Sequence, residues 1–160
     1  MEILIDTREK DRAIKKIVAE FDRQSVIHDS CSLYVGDYMN LDNARRVVDR
    51  KQNLSELYTN MCHEGKKGKN YGVCQRFRKE LERSNKMRIG IYFLIEHGNG
   101  IETLEDVKNW YNPQLDKTPY AWTGEYMYNQ MKLLLKQYPF IRFRFCTKEE
   151  TGQKIIELLR

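Results

Sequence analysis

The segment "VVDRK", residues 47–51, places an aspartate and a lysine two residues apart at the end of an apolar strand. Successive side chains of a β-strand point to opposite faces, so Asp49 and Lys51 should project to one side and Arg50 to the other. A carboxylate can hold a divalent cation, and a neighbouring ammonium can orient water or stabilise developing negative charge. A strand that merely emerges into solvent would have the same sequence. The positions of other acidic residues must therefore decide between an active site and a solvent-exposed strand end.

Two other segments carry carboxylates that can reach the same place. Asp37 follows Gly36 at the start of a predicted strand. A hairpin between this strand and residues 45–51 would bring Asp37 close to the end of the second strand. Asp6 and Glu9 lie at and just after the end of the first predicted strand, in "DTRE". Mg²⁺ usually takes one or two carboxylates, so these positions are sufficient for a metal site, although each segment alone is common.

The elements that position these residues alternate between strands and helices. Apolar runs and period-two alternation predict strands, whereas apolar residues at helical spacing predict amphipathic helices. The alternation predicts one α/β domain over residues 1–160, with a central mixed β-sheet flanked by α-helices on both faces. Predicted strands cover residues 2–6, 25–41 (broken at Gly36), 45–51, 87–98 and 140–146, and predicted helices cover 10–24, 54–62, 73–86, 103–111, 125–138 and 147–160.

Positive charge is concentrated in the middle of the chain. The net charge is +5, yet residues 63–88 hold nine lysines and arginines against three glutamates. In the helix predicted for residues 73–86, Lys79 and Arg83 repel each other at i, i+4, which favours an anionic partner such as DNA over a merely solvated helix. The residues predicted to contact the DNA backbone here are Arg76, Lys79, Lys66, Lys67 and Lys69.

The remaining composition indicates a soluble protein of a reducing compartment. The four cysteines have no CxxC spacing, and "MEILIDTREK" lacks the features of a signal peptide. No apolar run approaches the length of a membrane span. We therefore expect free thiols and a cytoplasmic location without membrane association.

The order of the acidic segments resembles the XPF-type structure-specific endonuclease domain, a branch of the PD-(D/E)XK nucleases. The resemblance rests on "DTRE" at 6–9, "VGD" at 35–37 and "VVDRK" at 47–51, with "YFLIEHG" at 92–98 similar to an apolar strand that closes on an acidic residue. It covers roughly the whole chain and is greatest to small single-domain versions from bacteria and phages. It implies a restriction-endonuclease-like core and a location in the cytoplasm of a bacterial or phage-infected cell.

The resemblance also implies roles for individual residues. Position 49 is Asp where the eukaryotic members have Glu, and the acidic residue expected after Lys51 is displaced to Glu56. Arg50 would support the site or contact phosphate, and Arg8 would contact DNA. The implied ligands of Mg²⁺ or Mn²⁺ are Asp37, Asp49, Asp6 and Glu9, with Lys51 as the catalytic lysine.

The activity implied by the resemblance is metal-dependent endonucleolytic hydrolysis of DNA at branched, flap or fork structures, in repair, recombination or phage DNA processing. A Holliday-junction resolvase or recombination exonuclease of the same superfamily, and a catalytically inactive DNA-binding module, remain alternatives. Family members usually carry a helix-hairpin-helix module that helps them dimerise and bind branched DNA. We expect no such module in residues 1–160, so a homodimer and a junction preference rest on the resemblance alone.

Overall fold

A six-stranded mixed sheet organises the computed structural model, which describes residues 1–62 and 73–160. The strand order is β2-β1-β3-β4-β5-β6. β3 runs antiparallel to both β1 and β4, and the other neighbouring strands are parallel. The strands are β1 (Glu2–Asp6), β2 (Ile27–Cys31), β3 (Tyr38–Asn40), β4 (Arg46–Lys51), β5 (Gly90–Glu96) and β6 (Ile141–Cys146).

Five α-helices in the described residues cover the sheet. They are α1 (Asp11–Arg23), α2 (Leu54–Met61), α3 (Gln75–Met87), α4 (Gly124–Gln137) and α5 (Thr151–Leu159). The helix predicted from residue 103 is only a short 3-10 helix, Glu105–Asn109. Before its first turn the Thr103 backbone N–H donates to Asp106 Oδ2 at 2.8 Å. The helix ends at Trp110, whose backbone is extended with ψ 126°.

The sheet separates two apolar cores, as expected for helices on both faces. Odd-numbered Val47 of β4 faces the core that contains residues of α2, α3 and α4. Even-numbered Val48 faces the core built from α1 and α5. Phe93 of β5 lies at the centre of the first core, stacked between Phe77 and Phe143 with both ring centroids at 5.4 Å. The predicted mixed sheet with helices on both faces is confirmed.

The predicted hairpin between β3 and β4 forms, and it places Asp37 beside β4. Tyr38 pairs with Val48, and the Asp37 N–H donates to the Val48 carbonyl at 2.8 Å. Gly36 precedes the hairpin with φ +72°, and a Cβ there would lie 2.9 Å from the Val47 side chain. Glycine is therefore required at this turn.

No helix within residues 1–62 and 73–160 is long and apolar enough to span a membrane. Cys31, Cys62, Cys74 and Cys146 are all free thiols.

Candidate active site

Asp49 and Lys51 lie side by side near the end of β4, on the face covered by α2, α3 and α4. Their side chains are only 7% and 9% exposed, and Lys51 Nζ forms an ion pair with Asp49 Oδ1. Arg50 projects to the opposite face, as strand alternation predicts. The interpretation that this strand merely emerges into solvent is wrong, because both charged side chains are buried.

The half-buried Asp37 completes a compact group of charges with the buried Asp49 and Lys51. Its Oδ2 accepts a hydrogen bond from the Arg50 backbone N–H at 2.7 Å. Burial raises the pKa of Asp37 well above its ordinary value, and the negative charges of Asp49 and Glu9 raise it further. Burial opposes the charged form of Lys51, but the carboxylates of Asp49 and Asp37 outweigh this and raise the pKa of its ammonium. The charges of Asp37, Asp49 and Lys51 therefore interact across the β3–β4 hairpin and form one site.

Replacing Asp37 with asparagine should stabilise the metal-free protein at neutral pH. The unfolded chain ionises Asp37 near pH 3.8, whereas the folded protein holds the proton to higher pH. The contribution of the protonated Asp37 carboxyl group to folding stability is therefore fully present below pH 3.8. It is lost as the pH rises through the pKa of Asp37 in the folded protein. Asparagine keeps the acceptor for Arg50 N–H and carries no charge.

Urea denaturation in EDTA between pH 4 and pH 8 measures this effect. Asp37→Asn should gain over wild type as pH rises, while Asp29→Asn on an exposed strand should track wild type. A variant that is less stable than wild type at pH 8 would show that the buried carboxylate is compensated in some other way.

Arg50 sits in a buried ionic network on the other face of the sheet. Its Nη1 donates to Glu96 Oε1 at 3.0 Å, and its Nε donates to Glu9 Oε2 at 3.2 Å. Glu9 Oε2 also accepts a hydrogen bond from the Tyr38 hydroxyl at 3.0 Å, and Glu96 Oε1 accepts one from Thr151 Oγ1 at 2.9 Å. This network ties the segment after β1 to β4 and β5, and the role predicted for Arg50 in the active site stays a prediction. The metal-ligand role predicted for Glu9 stays a prediction.

Both oxygens of the Asp6 carboxylate are hydrogen-bonded to neighbouring residues. Its Oδ1 accepts from the backbone N–H and Nε of Arg8, and its Oδ2 accepts from Arg8 Nη2 and from the Leu33 N–H. An ionised carboxylate has about four lone-pair sites, and these four donors fill them. Burial alone would raise the pKa of Asp6, but the hydrogen bonds from Arg8 and Leu33 outweigh it and lower the pKa. Its role as a metal ligand stays a prediction, and this saturation argues against it.

Arg8 remains available to a ligand despite its pairing with Asp6. Its side chain is 71% exposed. The hydrogen bond to Asp6 raises its pKa, and the charges of Asp37 and Glu80 contribute smaller increases. Arg8 therefore lies within electrostatic reach of Asp37 and Glu80, and its contact with DNA stays a prediction.

The pair of Asp37 and Asp49 has the properties of a cation site. Asp49 Oδ1 is buried and, among the described residues, accepts no hydrogen bond of normal geometry, although the Lys51 ammonium lies against it. The negative charge of Asp49 raises the pKa of Asp37, and a bound cation would remove this cost of ionising Asp37. Within residues 1–62 and 73–160 no group of three or more acidic, cysteine or histidine side chains is arranged to hold a metal. Two carboxylates are nevertheless sufficient for Mg²⁺, which keeps several waters.

Helix α3 presents a basic groove next to this site. The groove has a volume of about 660 Å³ and is lined by Arg76, Lys79, Arg83 and Lys86 with Gln75 and Glu82. Arg76 also lines a smaller cleft of about 290 Å³ between α3 and α2. Arg76 and Glu80 lie at i, i+4 on α3, yet they form no ion pair in the part of the chain that the structure describes. Lys66, Lys67 and Lys69, also predicted to contact DNA, lie outside the described residues.

Sequence reasoning did not assign roles to Glu80 and Glu96, which the structure places close to the site. Burial raises the pKa of Glu80, and the charge of Asp49 raises it further, so α3 brings a third carboxylate towards β4. Glu80 lies one residue before Leu81 on the apolar side of α3, a position that signals partial burial. Glu96 could have been suspected because it ends a buried strand.

Glu56 has a structural role at the start of α2. Its backbone N–H donates to Asn53 Oδ1 at 2.8 Å, and its Oε2 accepts from the Gln52 N–H at 2.7 Å. Asn53 is the N-cap of α2, and Glu56 accepts a further hydrogen bond from the residue that precedes the cap. The acidic residue displaced to position 56 therefore helps to fix the start of α2.

Comparison with known proteins supports the fold. No family model and no curated protein matches the chain. Two similar solved structures are XPF from Aeropyrum pernix (TM-score 0.68, 18% identity) and the same protein in complex with DNA (TM-score 0.64, 17% identity). They align with 100% and 99% of this chain, which spans 64% and 63% of theirs. The predicted XPF-type nuclease fold, with its restriction-endonuclease-like core, is confirmed.

Proposed function

We propose that this chain is a metal-dependent DNA endonuclease that hydrolyses phosphodiester bonds. The observation that carries the proposal is the convergence of Asp37, Asp49 and Lys51 at the β3–β4 hairpin, where Asp49 and Lys51 are buried and Asp37 is half-buried beside them. Burying charge is costly, and a cation bound between the two carboxylates would offset that cost. The likeness to an XPF structure in complex with DNA supports the same class of ligand.

Each residue of the site would have a separate task. Asp37 and Asp49 would hold Mg²⁺ or Mn²⁺, which when bound polarises a phosphate oxygen and lowers the pKa of a coordinated water. Lys51 would donate hydrogen bonds to the attacking water or to the phosphate as negative charge develops. The Arg50 backbone N–H keeps the Asp37 carboxylate aimed at β4.

Branched DNA, such as flaps and forks handled in repair, recombination or phage DNA processing, is the proposed substrate class. Arg76 connects the basic groove of α3 to the cleft beside α2, so a phosphate backbone could follow α3 towards β4. Phosphate contacts position a nucleic acid without reading its sequence, which suits an enzyme that recognises structure.

Cleavage of flap, fork, four-way junction and linear duplex oligonucleotides, each with Mg²⁺ and with EDTA, tests the function. We expect Mg²⁺-dependent internal cuts that are faster on flaps and forks than on linear duplex. Symmetrical cuts confined to the four-way junction would indicate a resolvase, and shortening from ends an exonuclease. DNA binding without cleavage under any metal would indicate an inactive binding module.

Charge reversal on α3 should weaken DNA binding through its salt dependence. Each phosphate contact contributes about 0.9 to the slope of log affinity against log salt for duplex DNA. Arg76→Glu/Lys79→Glu should therefore lower that slope by about 2. The matched control is Lys117→Glu/Lys136→Glu, which makes the same charge change at exposed positions outside the α3 groove. Equal slopes for the two double variants would remove α3 from the DNA path.

A further inference from the structure

A second basic groove lies on the face of the sheet opposite the α3 groove. It has a volume of about 960 Å³ and runs between the N-terminal half of α1 and the segment before α5. Arg50 and Glu96 also line it, so the buried ionic network borders this groove. Neither the sequence motifs nor the candidate active site accounts for it.

The walls of the groove carry an excess of unpaired positive charge. Lys10, Arg12, Lys15 and Lys148 are exposed, and none of them has an ion-pair partner among the described residues. The fifth surface cation, Lys16, lies 3.9 Å from Glu149, the exposed acidic residue of the lining. Four uncompensated cations around one concave surface generate a positive potential that attracts a polyanion.

The groove is continuous with the candidate active site along the chain. Gln52 and Asn53 line it and directly follow Lys51. Asp49 and Lys51 face one side of the sheet, and the groove opens on the other side of the same strand end. A strand of nucleic acid held at Lys51 would therefore need to pass only the exposed Gln52 and Asn53 to reach α1.

From this placement we propose that the α1 groove is a second DNA-backbone-binding surface, which holds the nucleic acid that leaves the active site over the end of β4. The inference rests on the proposed function and deepens it. It divides bound DNA between two basic surfaces, the α3 groove on one side of the scissile phosphate and the α1 groove on the other. Such a division suits a bent or branched substrate, whose arms diverge at the point of cutting.

The lining indicates contact with phosphates rather than with bases. Its apolar members are aliphatic, Ala13 and Ile17, and no aromatic ring lines the groove in the described part of the chain. Base stacking by single-strand-binding proteins relies on aromatic rings, whereas lysines and arginines bind the phosphate backbone of any sequence.

The test is a salt titration of DNA binding in EDTA, so that cleavage does not interfere. The variant is Lys10→Glu/Arg12→Glu/Lys15→Glu, and glutamates near the start of α1 suit the helix dipole, so the fold should be retained. With about 0.9 per lost contact, the slope of log affinity against log salt should fall by about 2–3 on forked DNA. The control Arg45→Glu/Lys117→Glu/Lys136→Glu carries the same charge change at exposed positions outside both grooves and should lower the slope by less than about 1.

The outcomes separate this inference from the proposed function. If wild type binds forked DNA with a steep salt dependence and the α1 variant matches its control, the α1 groove is not a DNA surface, and the nuclease proposal stands. If wild type shows no salt-dependent binding to any DNA, both proposals fail. A selective loss of slope in the α1 variant, with circular dichroism equal to wild type, supports the second surface.

Discussion

Lys51→Met is expected to lower the rate of DNA cleavage by at least about 10²–10³-fold, the loss typical when one charge-stabilising donor is removed from an active site. Methionine fills a similar volume but offers neither charge nor hydrogen-bond donor. The change should also cost about 3–5 kcal/mol of folding free energy, because it leaves the buried carboxylate of Asp49 and the neighbouring Asp37 without their cation. Rates must therefore be measured under conditions where circular dichroism shows the variant to be folded.

A double variant separates the chemical loss from the loss of stability. Asp49→Asn/Lys51→Met removes both members of the ion pair, so it should recover part of the folding free energy while remaining inactive. Lys117→Met provides the matched control, since Lys117 is exposed and distant in sequence from the site. If Lys51→Met cut flap DNA within tenfold of the wild-type rate, Lys51 would not be the catalytic lysine.

Arg50→Met is expected to destabilise the protein by about 3–5 kcal/mol, the usual cost of removing one partner from a buried ion network. Arg50 and Glu96 are each only 4% exposed, and Arg50 Nη2 also lies 3.1 Å from Glu9 Oε2. Methionine would leave two carboxylates facing each other without their guanidinium. Urea denaturation at neutral pH measures the loss directly.

Two further variants serve as comparisons for this measurement. Arg46→Met, at an exposed position of the same strand, should change the stability by less than about 0.5 kcal/mol. The triple variant Arg50→Met/Glu9→Gln/Glu96→Gln removes all three charges and should recover part of the loss. A cost below about 1 kcal/mol for Arg50→Met would show that the network contributes little to stability.

The geometry of Asp37, Asp49 and Lys51 was predictable because it depends on local rules. Strand alternation alone sets Asp49 and Lys51 on one face and Arg50 on the other. The turn at Gly36 marks where the first hairpin strand begins, and a second apolar strand follows within ten residues. These features are encoded within about fifteen residues of one another.

Other parts of the site depend on contacts that sequence spacing does not encode. Asp6 was grouped with the metal ligands because of its place at the end of β1, but Arg8 and Leu33 occupy its oxygens. The partnership of Arg50 with Glu96 spans 46 residues and exists only because β4 and β5 are parallel neighbours. Glu80 approaches the site through the packing of α3 on the sheet, which helical periodicity alone cannot specify.

The α1 groove shows the same limit for surfaces. Its cations come from α1 and from Lys148, more than 130 residues apart in the sequence. Each set alone is typical of a solvated helix face or loop. The concave basic surface exists only after α1 and the segment before α5 meet over the end of β4.

Anomalous X-ray diffraction from crystals soaked in Mn²⁺ tests the central claim, that Asp37 and Asp49 share one cation beside Lys51. We predict a single strong peak between the two carboxylates, with oxygen distances of about 2.0–2.2 Å and the Lys51 ammonium in the surrounding shell. Crystals of Asp49→Asn treated identically should lose that peak. A protein with no Mn²⁺ bound between Asp37 and Asp49, or with its Mn²⁺ elsewhere, would contradict the claim.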